Sequence, residues 1–357
     1  MALWHHGGEI YGSDTIRLDY SVNINPLGFP RRALEALGAS ADVYERYPDQ
    51  DCTALRRVIA EKYGRLGLSL RPEDIHCGSG ASELFQLLVQ AIGPRRAVIT
   101  APAFSGYEKA LINNGIEPTL FLLRREEGFR VTERILAVID DLPAGEPAIL
   151  FLCQPNNPVG NTIGRELMEA IAARCEARGI YLIVDECFLE LTDSFRELTM
   201  LEGYAGRPHT IVVSAFTKIY AMPGLRLGFL VTPDEAVRQR LAACQTEWSV
   251  SGPAQLAGRC VLDEEIYLAE ARELIRRERA YLTGVLEGCG FRVYPGEANF
   301  LFFEAIPDLK ERLLEEGVLI RHCDNYRGLG KNYFRLSVGN HDNNKALAAA
   351  LEAALSR

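Results

Sequence analysis

The middle of the chain alternates short, continuously apolar runs with stretches whose apolar residues recur every three or four positions. The apolar runs are 96–102 (RAVITAP), 117–123 (EPTLFLL), 147–153 (PAILFLC), 180–186 (IYLIVDE), 210–216 (TIVVSAF) and 227–231 (LGFLV). Several are rich in β-branched residues and lack a polar face, which predicts strands covered on both sides. Between them, 82–92, 106–114 and 164–179 carry the helical period, the last ending in Gly179 at a C-cap position. Strand–helix–strand alternation predicts an α/β fold with a mainly parallel sheet.

The carboxyl third changes character. Residues 263–287 read as one long helix whose many Glu and Arg form a solvated face. After it come FRVY, NFLFFEA, a helix over 308–316, VLIRH, YFRLSVG and an alanine-rich terminal helix. This is a small α+β unit, and the amino-terminal residues are expected to pack with it. The predicted organisation is a large domain over 45–250 and a small domain built from both chain ends, 1–44 and 251–357.

Composition narrows the function classes. With 357 residues, 48% hydrophobic and 24% charged, the chain has room for one large or two moderate cores. A net charge of -9 argues against a general nucleic-acid binder but permits a local basic pocket. Nine cysteines, an odd number with no C-x-x-C pair, argue against a disulfide framework or zinc site and predict a reducing, cytoplasmic setting. The amino terminus, MALWHHGGEIYG, lacks the pattern of a signal peptide. No apolar run reaches the ~18 residues of a membrane span, so no membrane partner is expected.

Candidate chemistry gathers where the predicted strands end. CGSGASELF (77–85) is a Gly/Ser turn before a helix, and the N–H groups of Gly80, Ala81 and Ser82 would suit an anion. Phe104 lies just beyond one strand, in APAFSGYEKA, and by itself reads equally as a core aromatic. Asn157 lies in the turn LCQPNNPVG, of a kind common without function. Asp185 closes the apolar run IYLIV, at the sheet edge where α/β proteins bind ligands. Buried without a partner it would be costly, and a protonated ring nitrogen would be a good one. Lys218 follows the next strand, in apolar surroundings that disfavour its charged form and favour a nucleophile. Arg226, eight residues on, could fork onto a phosphate.

This combination, GAS…PAF…PNNPVG…DE…TK followed by GLRLG, resembles the fold-type I pyridoxal-phosphate enzymes of the aspartate aminotransferase superfamily, over nearly the whole chain. The resemblance implies that Lys218 bonds covalently to pyridoxal 5'-phosphate, Asp185 pairs with its ring nitrogen and Phe104 stacks on its ring. It implies that Asn157 holds the 3-oxygen, while Gly80, Ala81, Ser82, Thr217 and Arg226 hold the phosphate. Tyr47, in ERYPDQ, is similar to a tyrosine that reaches the neighbouring subunit's phosphate, which implies a homodimer with shared active sites. Arg335, in NYFRLSVG, matches an arginine that binds the substrate carboxylate. Two positions depart from the pattern: Phe188 stands where many relatives have tyrosine, and Ala215 where many have Ser or Thr.

Within the superfamily, two groups of enzymes acting on phosphorylated amines are most similar: histidinol-phosphate aminotransferases and the L-threonine-O-3-phosphate decarboxylases of cobalamin synthesis. Three segments favour the second group. They are WHHGGEIYG (4–12), DYSVNINPLGFP (19–30) and IRHCDNYRGLGKNYFRLSVG (320–339). They add His6, Gly7, Gly8, Asn25 and Arg321 to Asn157 and Arg335 as candidate substrate residues. His6 alone would read as an ordinary surface histidine; the glycines beside it would let backbone approach an anion. Cofactor residues cannot separate the two reactions, because both begin on the same bound amine. A dinucleotide-binding oxidoreductase is the weaker reading, because CGSGAS lacks G-x-G-x-x-G. A non-catalytic relative of the same fold would not need Lys218.

Overall fold

The computed structural model describes residues 6–11 and 15–356. A short strand, β1 (Leu18–Asp19), leads into the fold. Seven strands then build the large sheet: β2 (Ile75–Gly78), β3 (Arg96–Ala101), β4 (Thr119–Leu122), β5 (Ala148–Cys153), β6 (Ile180–Asp185), β7 (Thr210–Ala215) and β8 (Gly228–Val231). Their spatial order is β2-β8-β7-β6-β5-β3-β4. All pairings are parallel except those of β8, which runs against both β7 and β2. The sheet is therefore α/β and mainly parallel, as the alternation predicts.

Every residue of β5, β7 and β8 is buried, which is why these strands read as unbroken apolar runs. At the edge, β4 buries only Phe121 fully. The sequence reading has no strand at 75–78, because four residues that include a histidine give little periodic signal. The three predicted helices are found at Ala81–Ile92, Ser105–Asn113 and Arg165–Arg178. Gly179 caps the last at φ 67°, a left-handed conformation that costs glycine little.

The long charged helix spans Glu265–Gly288. Beyond it, β9 (Arg292–Tyr294), β10 (Phe300–Glu304), β12 (Arg321–His322) and β13 (Tyr333–Ser337) form a four-stranded sheet in the order β12-β13-β10-β9, and β11 (Val318–Leu319) lies between β10 and β12 in the chain. The run VLIRH thus supplies two strands. β11 pairs in parallel with β1, Leu18 opposite Val318, so the two ends of the chain meet. Tyr20 adds a hydrogen bond from its hydroxyl to Asn344 Oδ1 at 2.8 Å. These contacts carry the segment after β1 across the mouth of the large sheet.

Candidate active site

A cavity of about 270 Å³ opens where β3, β5, β6 and β7 end and the loops begin. This is the crevice in which open α/β sheets bind ligands. Residues from the amino-terminal segment and from β12 and β13 complete it.

Lys218 lies in the short helix Phe216–Ile219, directly after β7. It faces the cavity, and its side-chain amine has no hydrogen-bond or ion-pair partner among the described residues. Burial, then the positive charges of Arg335 and Arg226, bring its pKa from 10.5 down to about 8. Asp185 ends β6 and also lines the cavity. Its Oδ1 accepts from the Cys187 backbone N–H at 3.0 Å and its Oδ2 from the Tyr107 hydroxyl at 2.5 Å. Burial pushes the carboxyl above its ordinary range, and the hydrogen bonds from Cys187 and Tyr107 pull it back. Among the described residues no cation forms an ion pair with it.

Arg226 and the start of helix Ala81–Ile92 form one end of the cavity, with Ser82 and Thr217 in its lining. Gly80 precedes that helix at φ +83°, and a Cβ there would stand 2.6 Å from Arg226 Nη2. Bare backbone is required for the guanidinium to lie over the helix N-terminus, a natural anion site. Phe104 sits at the start of helix Ser105–Asn113, its ring so close over Gly106 that a Cβ there would clash at 2.2 Å. Phe188 and Ala215, the two departures, share one buried apolar cluster with Ala298 and Phe300. The Phe188 ring meets Phe300 edge-on at 5.3 Å. Apolar packing takes the place of both hydroxyls.

Arg335 and Arg321 reach the cavity from adjacent strands, paired in register. Arg335 donates to Asn157 Oδ1 at 2.5 Å and to the Ser21 carbonyl at 2.8 Å. With its oxygen engaged, Asn157 keeps its NH2 as the donor end. Arg321 donates to Asn325 at 2.6 Å and stands 5.4 Å over the Tyr326 ring. His6 lines the cavity, 5.6 Å from the Phe104 ring. Partial burial, then the positive charges of Arg321, Lys109, Arg335 and Lys218, lower its pKa.

The other expected residues divide between the cavity wall and its surroundings. Gly7 lines the cavity, and a Cβ on it would meet the Ser21 carbonyl at 2.2 Å. Gly8 is outside the lining and donates its N–H to Ser21 Oγ at 2.7 Å. Their close approach is therefore to Ser21. Trp4, His5 and Gly12 of the same segment lie outside the described residues. Asn25, expected at the substrate, does not line the cavity. Its Nδ2 donates to the Ile219 carbonyl at 2.8 Å and its Oδ1 accepts from Leu27 N at 3.0 Å, so it ties backbone to backbone beside Lys218. Asn23 is in the lining instead, with its buried Oδ1 lacking a partner. Tyr47 is outside the cavity, 79% exposed, and packs on Trp248 at 4.5 Å. Tyr107, Cys187 and Tyr326 belong to the site but are not singled out by the sequence, although Tyr107 and Tyr326 lie inside the quoted segments 101–110 and 320–339.

The donor set fits pyridoxal 5'-phosphate. Among the described residues, one cavity holds a lysine without an anion, a buried carboxylate without a cation, an arginine beside a helix N-terminus and an aromatic ring. An aldehyde, a protonated ring nitrogen and a phosphate are their complements. The comparisons agree. Residues 15–351 match the family model described as aminotransferase class I and II. The chain is 36% identical to a threonine-phosphate decarboxylase of Salmonella typhimurium, over 100% of this chain and 98% of that protein. It is 32% identical to a histidinol-phosphate aminotransferase of Methanosarcina mazei, over 92% of this chain and 86% of that one. A solved histidinol-phosphate aminotransferase from Clostridium acetobutylicum superposes with a TM-score of 0.85 at 28% identity, covering 94% of this chain and 98% of that one. The chain belongs to the class I and II aminotransferase family of enzymes that use pyridoxal 5'-phosphate.

Proposed function

We propose that this enzyme decarboxylates L-threonine O-3-phosphate to (R)-1-amino-2-propanol O-phosphate, a step of cobalamin biosynthesis. The observation that carries the reading is the pair Arg321 and Arg335, both buried and both lining the cavity that holds Lys218 and Asp185. Two guanidinium groups suit a substrate with two anionic ends, a carboxylate and a phosphate. The similarity to a threonine-phosphate decarboxylase over the whole chain supports it.

In this reading Lys218 is the covalent anchor, Asp185 faces the ring nitrogen, Phe104 covers the ring and Asn157 holds the 3-oxygen. Ala81, Ser82, Thr217 and Arg226 hold the cofactor phosphate. When bound, pyridoxal phosphate supplies an aldehyde for the substrate amine and a ring that accepts the electrons of the breaking bond. Arg335 binds the substrate carboxylate, and Arg321 with His6 binds its phosphate. Which bond at the α-carbon breaks depends on the angle at which these groups hold it. An orientation preference of ~2.7 kcal/mol shifts the outcome about 100-fold, within reach of a few charge-assisted contacts. The carbon–carbon bond breaks, CO2 leaves, and Lys218, whose lowered pKa suits proton exchange near neutrality, returns a proton to the α-carbon.

We also propose a homodimer in a cytoplasmic setting. The exposed pair Tyr47 and Trp248, in ring contact, supports a second copy, with Tyr47 reaching the neighbour's cofactor phosphate. A small domain from both chain ends, with the large domain over 45–250, is supported by the pairing of β1 with β11.

Histidinol-phosphate transamination is the second reading, favoured by the 32% identity and the 0.85 TM-score of such enzymes. Incubation with L-threonine O-3-phosphate, and separately with histidinol phosphate plus 2-oxoglutarate, separates the two. CO2 from the first alone is expected. Glutamate from the second, with no CO2 from the first, contradicts the proposal.

A further inference from the structure

We infer that Tyr107 is a positioning residue that holds Asp185 oriented and ionised toward the ring nitrogen of the cofactor. The inference rests on the pairing of Asp185 with that nitrogen proposed above.

Asp185 has one protein donor on each oxygen. The Cys187 N–H belongs to the loop that continues β6, so it moves with the aspartate. Tyr107 comes from a different element, helix Ser105–Asn113, 78 residues away in the chain. It is 1% exposed. Its ring is stacked on Phe151 at 5.1 Å and meets Phe85 and Phe104 edge-on at 4.9 and 5.6 Å. Packed on these sides, the phenol has little freedom to turn, and its hydroxyl fixes where the carboxylate points. The helix that begins beside Phe104, the ring proposed to cover the cofactor, therefore also sets the acid beneath it.

The hydroxyl can only help as a donor. Burial, then the negative charge of Asp185, push its own ionisation well above the ordinary range, so it keeps its proton. The titratable groups around Asp185 are Tyr107, the thiols of Cys153 and Cys187, and Lys218 in the same cavity wall. Glu186, the next residue, is held by Thr199 Oγ1 and the Met200 N–H. The burial that favours a neutral Asp185 is opposed by its hydrogen-bond donors. Without the Tyr107 hydroxyl, the carboxylate holds the shared proton more tightly, and the ring nitrogen carries it less.

The test is solid-state 15N NMR of the holoenzyme reconstituted with pyridoxal 5'-phosphate labelled at the ring nitrogen, together with the cofactor Kd of the apoenzyme. The wild-type resonance is expected at the protonated position. Asp185→Asn is expected to move it to the unprotonated position. Tyr107→Phe, which keeps the packed ring, is expected to move it part of the way and to weaken cofactor binding roughly tenfold, the scale of one hydrogen bond to a charged group. Should Tyr107→Phe not fold, 3-fluorotyrosine at position 107, whose more acidic hydroxyl donates more strongly, is expected to leave the resonance at the protonated position and to tighten cofactor binding. A resonance unmoved by Asp185→Asn overturns the assignment of Asp185 itself. A resonance moved by Asp185→Asn but left at the wild-type position by Tyr107→Phe, or a cofactor Kd left unchanged by 3-fluorotyrosine, overturns this inference alone.

Discussion

Capture of the cofactor by the apoenzyme is expected to follow the titration of Lys218. Only the neutral amine attacks an aldehyde. Burial and two nearby arginines hold Lys218 at a pKa of about 8 in place of 10.5. At pH 7 that leaves roughly a tenth of the lysine neutral, against roughly one part in 3,000 at the ordinary value, a gain of about 300-fold. The assay is stopped-flow absorbance after mixing apoenzyme with pyridoxal 5'-phosphate from pH 6 to 10, with a free lysine derivative run in parallel as the reference. The rate constant is expected to rise about tenfold per pH unit below the midpoint and to level off above it. Arg335→Gln removes one of the positive charges and is expected to move the midpoint upward. The same shift has a stability signature. Between about 8 and the unfolded value the unfolded chain binds a proton that the folded one does not, so the apoenzyme gains stability as pH rises through that window. A rate that climbs without a break to pH 10 would refute the reasoning, because it would mean that Lys218 is solvated and ordinary.

Three substitutions examine the rest of the site. His6→Ala is expected to raise KM for the phosphorylated amino acid while leaving the visible spectrum of the bound cofactor unchanged; loss of the cofactor would mean that His6 belongs to the other side of the cavity. Asn25→Ala strands the Ile219 carbonyl and the Leu27 N–H. It is expected to lower stability by roughly 1–3 kcal/mol, read by denaturant unfolding, with no selective effect on substrate affinity. Phe188→Tyr introduces a hydroxyl beside Phe300, Ala215 and Ala298. Its thermal destabilisation is expected to be larger in the apoenzyme than in the holoenzyme, where the cofactor's 3-oxygen gives that hydroxyl a partner. An equal loss in both would contradict the placing of that oxygen near Phe188.

How much of this was legible in the sequence depended on what each residue's neighbours in the chain reveal. Asp185 and Lys218 stand out because each follows a run of buried strand residues, where a charge is expensive and position along the strand fixes its place at the sheet edge. Arg226 and Gly80 stand out through the short motifs GLRLG and CGSGAS that hold them, and the clash of a Gly80 Cβ with Arg226 supplies the reason for that glycine. Tyr107 could not be read this way. It sits on the buried face of a helix among other aromatics, and only the packing of that helix brings its hydroxyl to an aspartate 78 residues on. The exchange of Asn25 for Asn23 in the cavity wall has a similar origin. Both asparagines lie in one irregular segment, and what turns Asn25 away, its bonds to the Ile219 carbonyl and the Leu27 N–H, is signalled by no period. The reversed strand β8 was equally hidden, since an apolar run does not reveal its direction.

The central claim is that the bond broken at the α-carbon is the one to the carboxylate. The most direct measurement is the reaction of L-threonine O-3-phosphate in D2O, with substrate and product followed by NMR at half conversion. The account predicts recovered substrate that retains its α-hydrogen and a product, 1-amino-2-propanol O-phosphate, carrying a single deuterium at C1. Recovered substrate with its α-hydrogen exchanged, and no decarboxylated product, would contradict it.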